Sequence, residues 1–175
     1  MLYFAYGSNM LTERLRARVP SAQPQTTATL PEHTLHFHKR SQDGSGKCSV
    51  STASGSPSPV QGVLFDIDPE EAALLDEAES RGHGYERSSV AVTAGGRTVQ
   101  AFAYVAQTEY VDDALRPYHW YRHLVVAGVH QHGLPDAYRQ QVAAVSSIPD
   151  PNPERRRTHR SLLRDACFEP LGPDT

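Results

Sequence analysis

A short apolar and aromatic segment, Leu2-Tyr3-Phe4-Ala5-Tyr6, runs directly into Gly7-Ser8-Asn9-Met10. Helical spacing begins at once, at Leu11 and Leu15, and ends at Val19-Pro20-Ser21. A chain that opens this way must put a strand-to-helix turn against its core. Such a turn aims backbone N–H groups and small polar side chains at one spot, where a carboxylate or a developing oxyanion can be held. Gly7 permits a tight turn and the close approach of a ligand. Ser8 and Asn9 add neutral hydrogen-bonding groups suited to a carboxylate or an amide. Spacing alone equally allows a plain turn with Asn9 as the helix cap.

The rest of the chain predicts an α+β fold. Leu2 to Ala5 reads as a buried strand and Thr34 to His38 as a second. Ser41 to Pro59 is rich in Ser and Gly, so it reads as loops around one short strand, Cys48 to Thr52. Val60 to Ile67 is a strand with Val63, Phe65 and Ile67 on one face. Asp68-Pro69-Glu70-Glu71 then starts a helix, with Asp68 as cap, Pro69 at the first position and Glu71 completing a capping box. Ala72, Leu75 and Ala78 continue that helix to an end near Glu79 or Gly82. Ser88 to Thr93 and Thr98 to Ala106 form a hairpin across Ala94-Gly95-Gly96-Arg97. The last third is helical. Pro117 opens one helix through Tyr121, Leu124, Val125 and Gly128, which Gly133-Leu134-Pro135 breaks. Tyr138, Val142 and Val145 mark another. Asp150-Pro151-Asn152-Pro153 is a rigid turn before an Arg-rich C-terminal extension over 150–175. Strands before helices argue for a small curved or barrel-like mixed sheet flanked by helices, in a single domain over 1–175.

Bulk properties narrow the function. A net charge of −3 over 175 residues gives no reason to expect nucleic-acid binding. No apolar run is long enough to span a bilayer, and the apolar opening lacks the basic region of a signal peptide. Cys48 and Cys167 are the only cysteines, which fits a reducing, cytoplasmic setting.

Glu79 closes the run Leu75-Asp76-Glu77-Ala78-Glu79, before Ser80-Arg81-Gly82-His83-Gly84-Tyr85. A carboxylate at a helix end can face a cleft and act as a general base. Without further information a solvated acidic helix end is the plainer reading. His33, His36 and His38 cluster on one strand, but no acidic or cysteine partner stands at a metal-binding spacing, so a solvated strand face is expected and no metal. His119 and His123 flank Trp120 and Tyr121, which suggests a packed aromatic surface. Arg155, Arg156, Arg157, Arg160 and Arg164, offset by Glu154, Asp165 and Glu169, read as a solvated helix. Cys48 reads as a buried, inert thiol.

Along nearly its whole length the chain resembles the γ-glutamylcyclotransferase family (AIG2-like). The matching stretches are Tyr3-Phe4-Ala5-Tyr6-Gly7-Ser8-Asn9-Met10 with Leu11-Thr12-Glu13-Arg14, Gly62-Val63-Leu64-Phe65, Leu75-Asp76-Glu77-Ala78-Glu79, Tyr85, and Tyr121 followed by Gly128 and Gly133-Leu134-Pro135. The ordered set is far more specific than Tyr-Gly-Ser-Asn alone. The resemblance implies a small β-barrel flanked by helices. It also implies cofactor-free conversion of a γ-glutamyl amino acid or γ-glutamyl amine to 5-oxoproline and the free amine. Glu79 matches the acid/base carboxylate, Tyr6, Gly7, Ser8 and Asn9 the substrate-holding loop, and Tyr85 and Tyr121 the aromatic pocket wall. A homodimer is implied by the resemblance alone. Ser80 stands where the family pattern has a glycine, and Arg81-Gly82-His83-Gly84 is this chain's own, which leaves the leaving group open. The competing function is a binding protein on the same fold, holding a small γ-glutamyl or carboxylate ligand without turnover.

Overall fold

The computed structural model describes residues 1–53 and 58–168. Pro57 of the Ser/Gly-rich stretch, and Glu169 with the end of the C-terminal extension, lie outside the described residues. Among the described residues seven strands form: β1 (Leu2–Ala5), β2 (Gln23–Leu30), β3 (His33–Arg40), β4 (Gly46–Thr52), β5 (Val60–Asp66), β6 (Tyr85–Ala94) and β7 (Arg97–Ala106). The order β1-β5-β2-β6-β7 closes into a barrel, sealed where β1 meets β7 in parallel at Tyr3 and Phe102. β3 and β4 make a separate two-stranded sheet. The expected α+β barrel with flanking helices is therefore the fold.

Strand β2 is the element that the residue pattern did not announce. Its first five residues are exposed, four of them polar, and Pro24 sits beside a bulge between Pro24 and Thr26. Proline is tolerated in a sheet at such an irregularity, and pairing with β5 supplies the order that local hydrophobicity does not. On β5 both faces are buried, Leu64 as well as Val63 and Phe65, because the barrel lies on one side and packing continues on the other. A side chain at Gly62 would stand 2.4 Å from the Ala5 carbonyl oxygen and 2.6 Å from the Phe4 ring, so only glycine fits between β1 and β5. The β6–β7 hairpin turns at Gly95 and Gly96, with φ of 54° and 76°. That is the left-handed pair a two-residue hairpin requires.

Among the described residues five α-helices follow the strands or connect them: α1 (Thr12–Arg16), α2 (Ala72–Ala78), α3 (His119–Gln131), α4 (Asp136–Ala143) and α5 (Pro153–Asp165). The first helical region is split, since Ser8–Met10 is a single 3-10 turn before α1. Asp68 caps the start of the α2 region as expected, accepting the Glu70 N–H at 2.9 Å. The capping box does not form. The Glu71 carboxylate instead accepts the Ser21 N–H, and the Asp68 N–H donates to the Ser21 hydroxyl, each at 2.9 Å. A tertiary clamp to the end of the first helical region has replaced the local bond. Val145 falls just past α4, partly buried against the core.

Helix α5 begins as its sequence requires. Asn152 accepts the N–H groups of Glu154 and Arg155 at 3.0 Å, and Pro153 takes the first position. It is not simply a solvated basic helix. Leu163 is buried in the common core, and Arg155 turns inward onto the fully buried Asp150 carboxylate with two bonds of 2.6 Å. The Trp120 indole N–H donates to the same carboxylate at 2.7 Å. Among the described residues no helix is long and apolar enough to cross a membrane.

Candidate active site

The opening turn sits at the barrel end with α3 laid against it. A side chain at Gly128 of α3 would meet Met10 Cβ at 2.6 Å and the Leu11 nitrogen at 2.8 Å. This glycine lets the helix and the turn touch. Gly7 is required for a related reason. Its φ of −114° is open to any residue, but a Cβ there would lie 3.0 Å from Cys48 Cβ on β4. Close approach, rather than a left-handed bend, selects glycine. The N–H groups of Gly7, Ser8 and Asn9 have no hydrogen-bond acceptor among the described residues.

Glu79 reaches the same point from α2. It is the cap residue of that helix, which ends in a Schellman motif: the Ser80 N–H bonds the Glu77 carbonyl, and the Arg81 N–H bonds the Asp76 carbonyl. Ser80 takes the left-handed position of that motif, with φ 52°. Glycine is the usual choice at such a position, and this chain holds it with a serine. One turn earlier, Asp76 ties the helix to the barrel. It accepts the Tyr104 hydroxyl at 2.6 Å, Arg87 at 2.7 Å and Arg81 at 3.0 Å. Asp76 is therefore an anchor, and of the acidic residues at this helix end only Glu77 is solvated.

The two motifs meet through side chains. Asn9 does not cap a helix; its Nδ2 donates to Glu79 Oε1 at 2.9 Å and lies 3.1 Å from the Tyr3 hydroxyl. Arg18 donates to Glu79 Oε1 as well, and to Asn9 Oδ1 at 3.0 Å. Oε1 is thus fully engaged, whereas Oε2 has no hydrogen-bond partner among the described residues. The Glu79 side chain is 15% exposed, enough to meet a small ligand.

The tyrosines shape the walls. Tyr85 donates its hydroxyl to the Cys48 carbonyl at 2.6 Å, and Tyr121 accepts the Cys48 N–H at 3.0 Å, so the two hold the Cys48 backbone through its two successive peptide groups. Tyr6 donates to the Tyr104 carbonyl. Burial holds the hydroxyls of Tyr6, Tyr85 and Tyr121 well above the ordinary tyrosine range, so all remain protonated. Burial likewise pushes the Cys48 thiol up to about 12. Cys48 and Cys167 are free cysteines.

A recess of about 30 Å³ is lined by Gly7, Ser8, Asn9, Glu79 and the rings of Tyr3, Tyr6, Tyr85, Tyr104 and Tyr121. Every site residue expected from the sequence lies there. The recess adjoins a cavity of about 430 Å³ through the shared walls Ser8, Glu79, Tyr85 and Tyr121. That outer cavity is bordered by Arg14, Arg18, Lys39, Arg40, Lys47 and Arg155, against the carboxylates of Asp43 and Glu79. These cations were not anticipated as site residues. Arg14 and Arg18, four apart after the opening turn, were the available signal for a shared face; the lysines carried none.

The histidine cluster differs in detail from expectation. His36 and His38 do stack, with centroids 4.6 Å apart, but His38 is buried and binds Asp113 at 2.8 Å, a partner that sequence spacing could not reveal. Among the described residues no group of three His, Cys, Asp or Glu side chains is arranged to hold a metal ion.

These features define a small α+β barrel enzyme with one carboxylate at the floor of a basic cleft. Residues 3–123 match the family model described as "Gamma-glutamyl cyclotransferase, AIG2-like". The chain is 34% identical over 151 residues to the γ-glutamylcyclotransferase of Homo sapiens, covering 82% of this chain and 78% of the relative. It is 32% identical over the same span to that of Bos taurus, with the same coverage. A solved structure titled "Gamma-glutamyl cyclotransferase" superposes with a TM-score of 0.81 at 26% identity, covering 92% of this chain and 98% of the other. The chain belongs to the γ-glutamylcyclotransferase family and is an enzyme of that kind, acting on a small molecule.

Proposed function

We propose that the enzyme cyclises the γ-glutamyl group of a γ-glutamyl amino acid or γ-glutamyl amine, giving 5-oxoproline and the free amine, with Glu79 moving the protons. The observation that carries this reading is the free Oε2 of Glu79, beside unpaired N–H groups, at the junction of recess and cavity.

The substrate's α-ammonium must first lose a proton, because only the neutral amine is a nucleophile at neutral pH. Glu79 Oε2 takes that proton, while Asn9 and Arg18 hold Oε1 and fix the carboxylate plane. The amine attacks its own γ-carbonyl carbon and forms the lactam C–N bond. The N–H groups of Gly7 and Ser8 donate to the oxyanion. Glu79 delivers a proton to the departing nitrogen as the original C–N bond breaks, and the remaining proton of the ring-forming nitrogen follows by the same carboxylate. No water is consumed. Tyr85 and Tyr121, braced on the Cys48 backbone, press the glutamyl chain into the folded conformer that brings amine and carbonyl together, which supplies the proximity advantage.

The test is a panel of γ-glutamyl dipeptides and γ-glutamyl amines, with 5-oxoproline quantified by mass spectrometry for wild type and Glu79→Gln. Product from wild type alone supports the reading. Undiminished turnover in the variant would remove Glu79 from the mechanism.

A further inference from the structure

The outer cavity holds more cationic groups than it uses. Four of its six basic side chains have carboxylate partners: Arg18 with Glu79, Lys47 with Asp43, Arg155 with Asp150 and Arg40 with Asp112. Arg14 and Lys39 have none among the described residues. Arg14 donates its Nε to the Ser8 hydroxyl at 3.0 Å. Lys39 is only 7% exposed, and its ammonium stands 4.5 Å above the Tyr85 ring. Glu79 and Asp43 act on Lys39 only through space, and each is already paired, with Arg18 and Lys47; a cation this deeply buried without an ion-pair contact of its own is costly.

Strand register sharpens the point. Lys39 and Lys47 are the only lysines in the chain. They face each other directly across the β3–β4 ladder, and both border the cavity. Like charges in that position repel. A β-bulge between His36 and Lys39 creates this pairing, by adding one residue to β3. Bulges commonly re-aim a side chain next to an active site. Lys39 also sits beside the glycine-rich segment this chain has after Glu79, since a Cβ at Gly84 would lie 2.6 Å from Lys39 Cε.

We propose that the outer cavity is an anion subsite for the leaving group, with Lys39 as its specificity-determining residue, and that the preferred leaving group is an acidic amino acid carrying two carboxylates. The inference rests on the cyclotransferase reading, because the departing amine must extend from the recess into this cavity. Arg14, on α1, and Lys39, on β3, stand on different elements, which suits two separate carboxylates rather than one compact anion. Trp120 and Tyr121 lie beneath Lys47, at 4.6 and 4.8 Å, and complete a floor for the aliphatic part.

The experiment compares kcat/KM for γ-glutamylethylamide, γ-glutamylalanine and γ-glutamylglutamate, whose leaving groups carry no, one and two carboxylates. Wild type should rank them two, one, none, with at least tenfold between the extremes. Lys39→Gln should shrink that ratio about tenfold, and Lys39→Arg should keep it. A flat wild-type ranking, or a ratio unchanged in Lys39→Gln, overturns the proposal. Calorimetric binding of the same three compounds to Glu79→Gln is read in parallel. If no compound yields 5-oxoproline, the cyclotransferase reading fails separately. The subsite then stands only if γ-glutamylglutamate still binds at least tenfold tighter than the ethylamide and loses that margin when Lys39→Gln is added.

Discussion

Asn9 Nδ2 donates to Glu79 Oε1 at 2.9 Å, joining two segments that lie 70 residues apart. The bond is charge-assisted, so its loss costs about 1.5–3 kcal/mol in a buried setting. Glu79→Gln should lower kcat by about 10²–10⁴-fold with KM within a few-fold, the range of a lost acid–base group. Asn9→Ala keeps the carboxylate but frees its orientation. It should lower kcat by about 10–100-fold and leave KM nearly unchanged. Steady-state kinetics of both variants on a γ-glutamyl dipeptide check this pair, and an Asn9→Ala enzyme with wild-type kcat would remove Asn9 as a positioning residue.

Ser80 holds φ 52° at the left-handed end of α2. A residue with a Cβ is strained there by roughly 1–2 kcal/mol, part of which glycine recovers. Ser80→Gly is expected to raise the unfolding free energy by about 0.5–1 kcal/mol. Urea denaturation measures it, and a variant less stable than wild type would show that the Ser80 side chain contributes more than its backbone costs.

Gly128 of α3 leaves no room above Met10 and Leu11. The obstructing atoms belong to the backbone and the base of a side chain, so neither can swing away. Gly128→Ala should destabilise by about 1–3 kcal/mol, as overpacked cores do. It should also lower kcat by displacing the opening turn. A thermal melt combined with turnover at a temperature where the variant is folded separates the two effects.

Asp150 is buried beneath Arg155 and Trp120. Burial raises its pKa, but hydrogen bonds from Arg155, the Asn152 N–H and Trp120 outweigh burial and hold the carboxyl at about 2. A folded-state pKa below the unfolded value of about 3.9 means stability that is present above that value and lost as pH falls toward 2. Asp150→Asn should cost about 3–5 kcal/mol at pH 7, since Arg155 and Trp120 lose a charged partner. The gap between variant and wild type should narrow between about pH 4 and pH 2. Urea midpoints across that range measure it.

Cys48 is buried, with its thiol pushed up to about 12, whereas Cys167 is exposed. The thiolate is the reactive form. Iodoacetamide at pH 7.5 should modify Cys167 alone in the folded enzyme, and Cys167→Ser should remain unlabelled until denatured. Intact-mass spectrometry reads both, and rapid labelling of Cys48 would mean that the recess opens.

Much of this arrangement was legible in the chain. Val60 to Ile67, the Gly95-Gly96 hairpin and the Asp68-Pro69 helix start are written in local patterns, and each forms where those patterns put it. Strand β2 was not legible, because Gln23, Gln25, Thr26 and Thr27 are exposed and only pairing with β5 orders them. The Glu71 capping box failed for the same kind of reason: Ser21, from another element, made the better bond.

The opening Tyr-Gly-Ser-Asn turn, the acidic helix end and the resemblance they carry come from the sequence by itself, and with them the family and the residues gathered in the recess. Only the tertiary structure decided what each group faces. It set Arg18 on Glu79, turned Asp76 into an anchor, drew Arg155 onto Asp150 and brought two lysines opposite each other beside the recess. Local patterns record which backbone conformation a segment prefers. Charge pairing and close approach depend on distances between elements far apart in the chain, and those exist only once the barrel has closed.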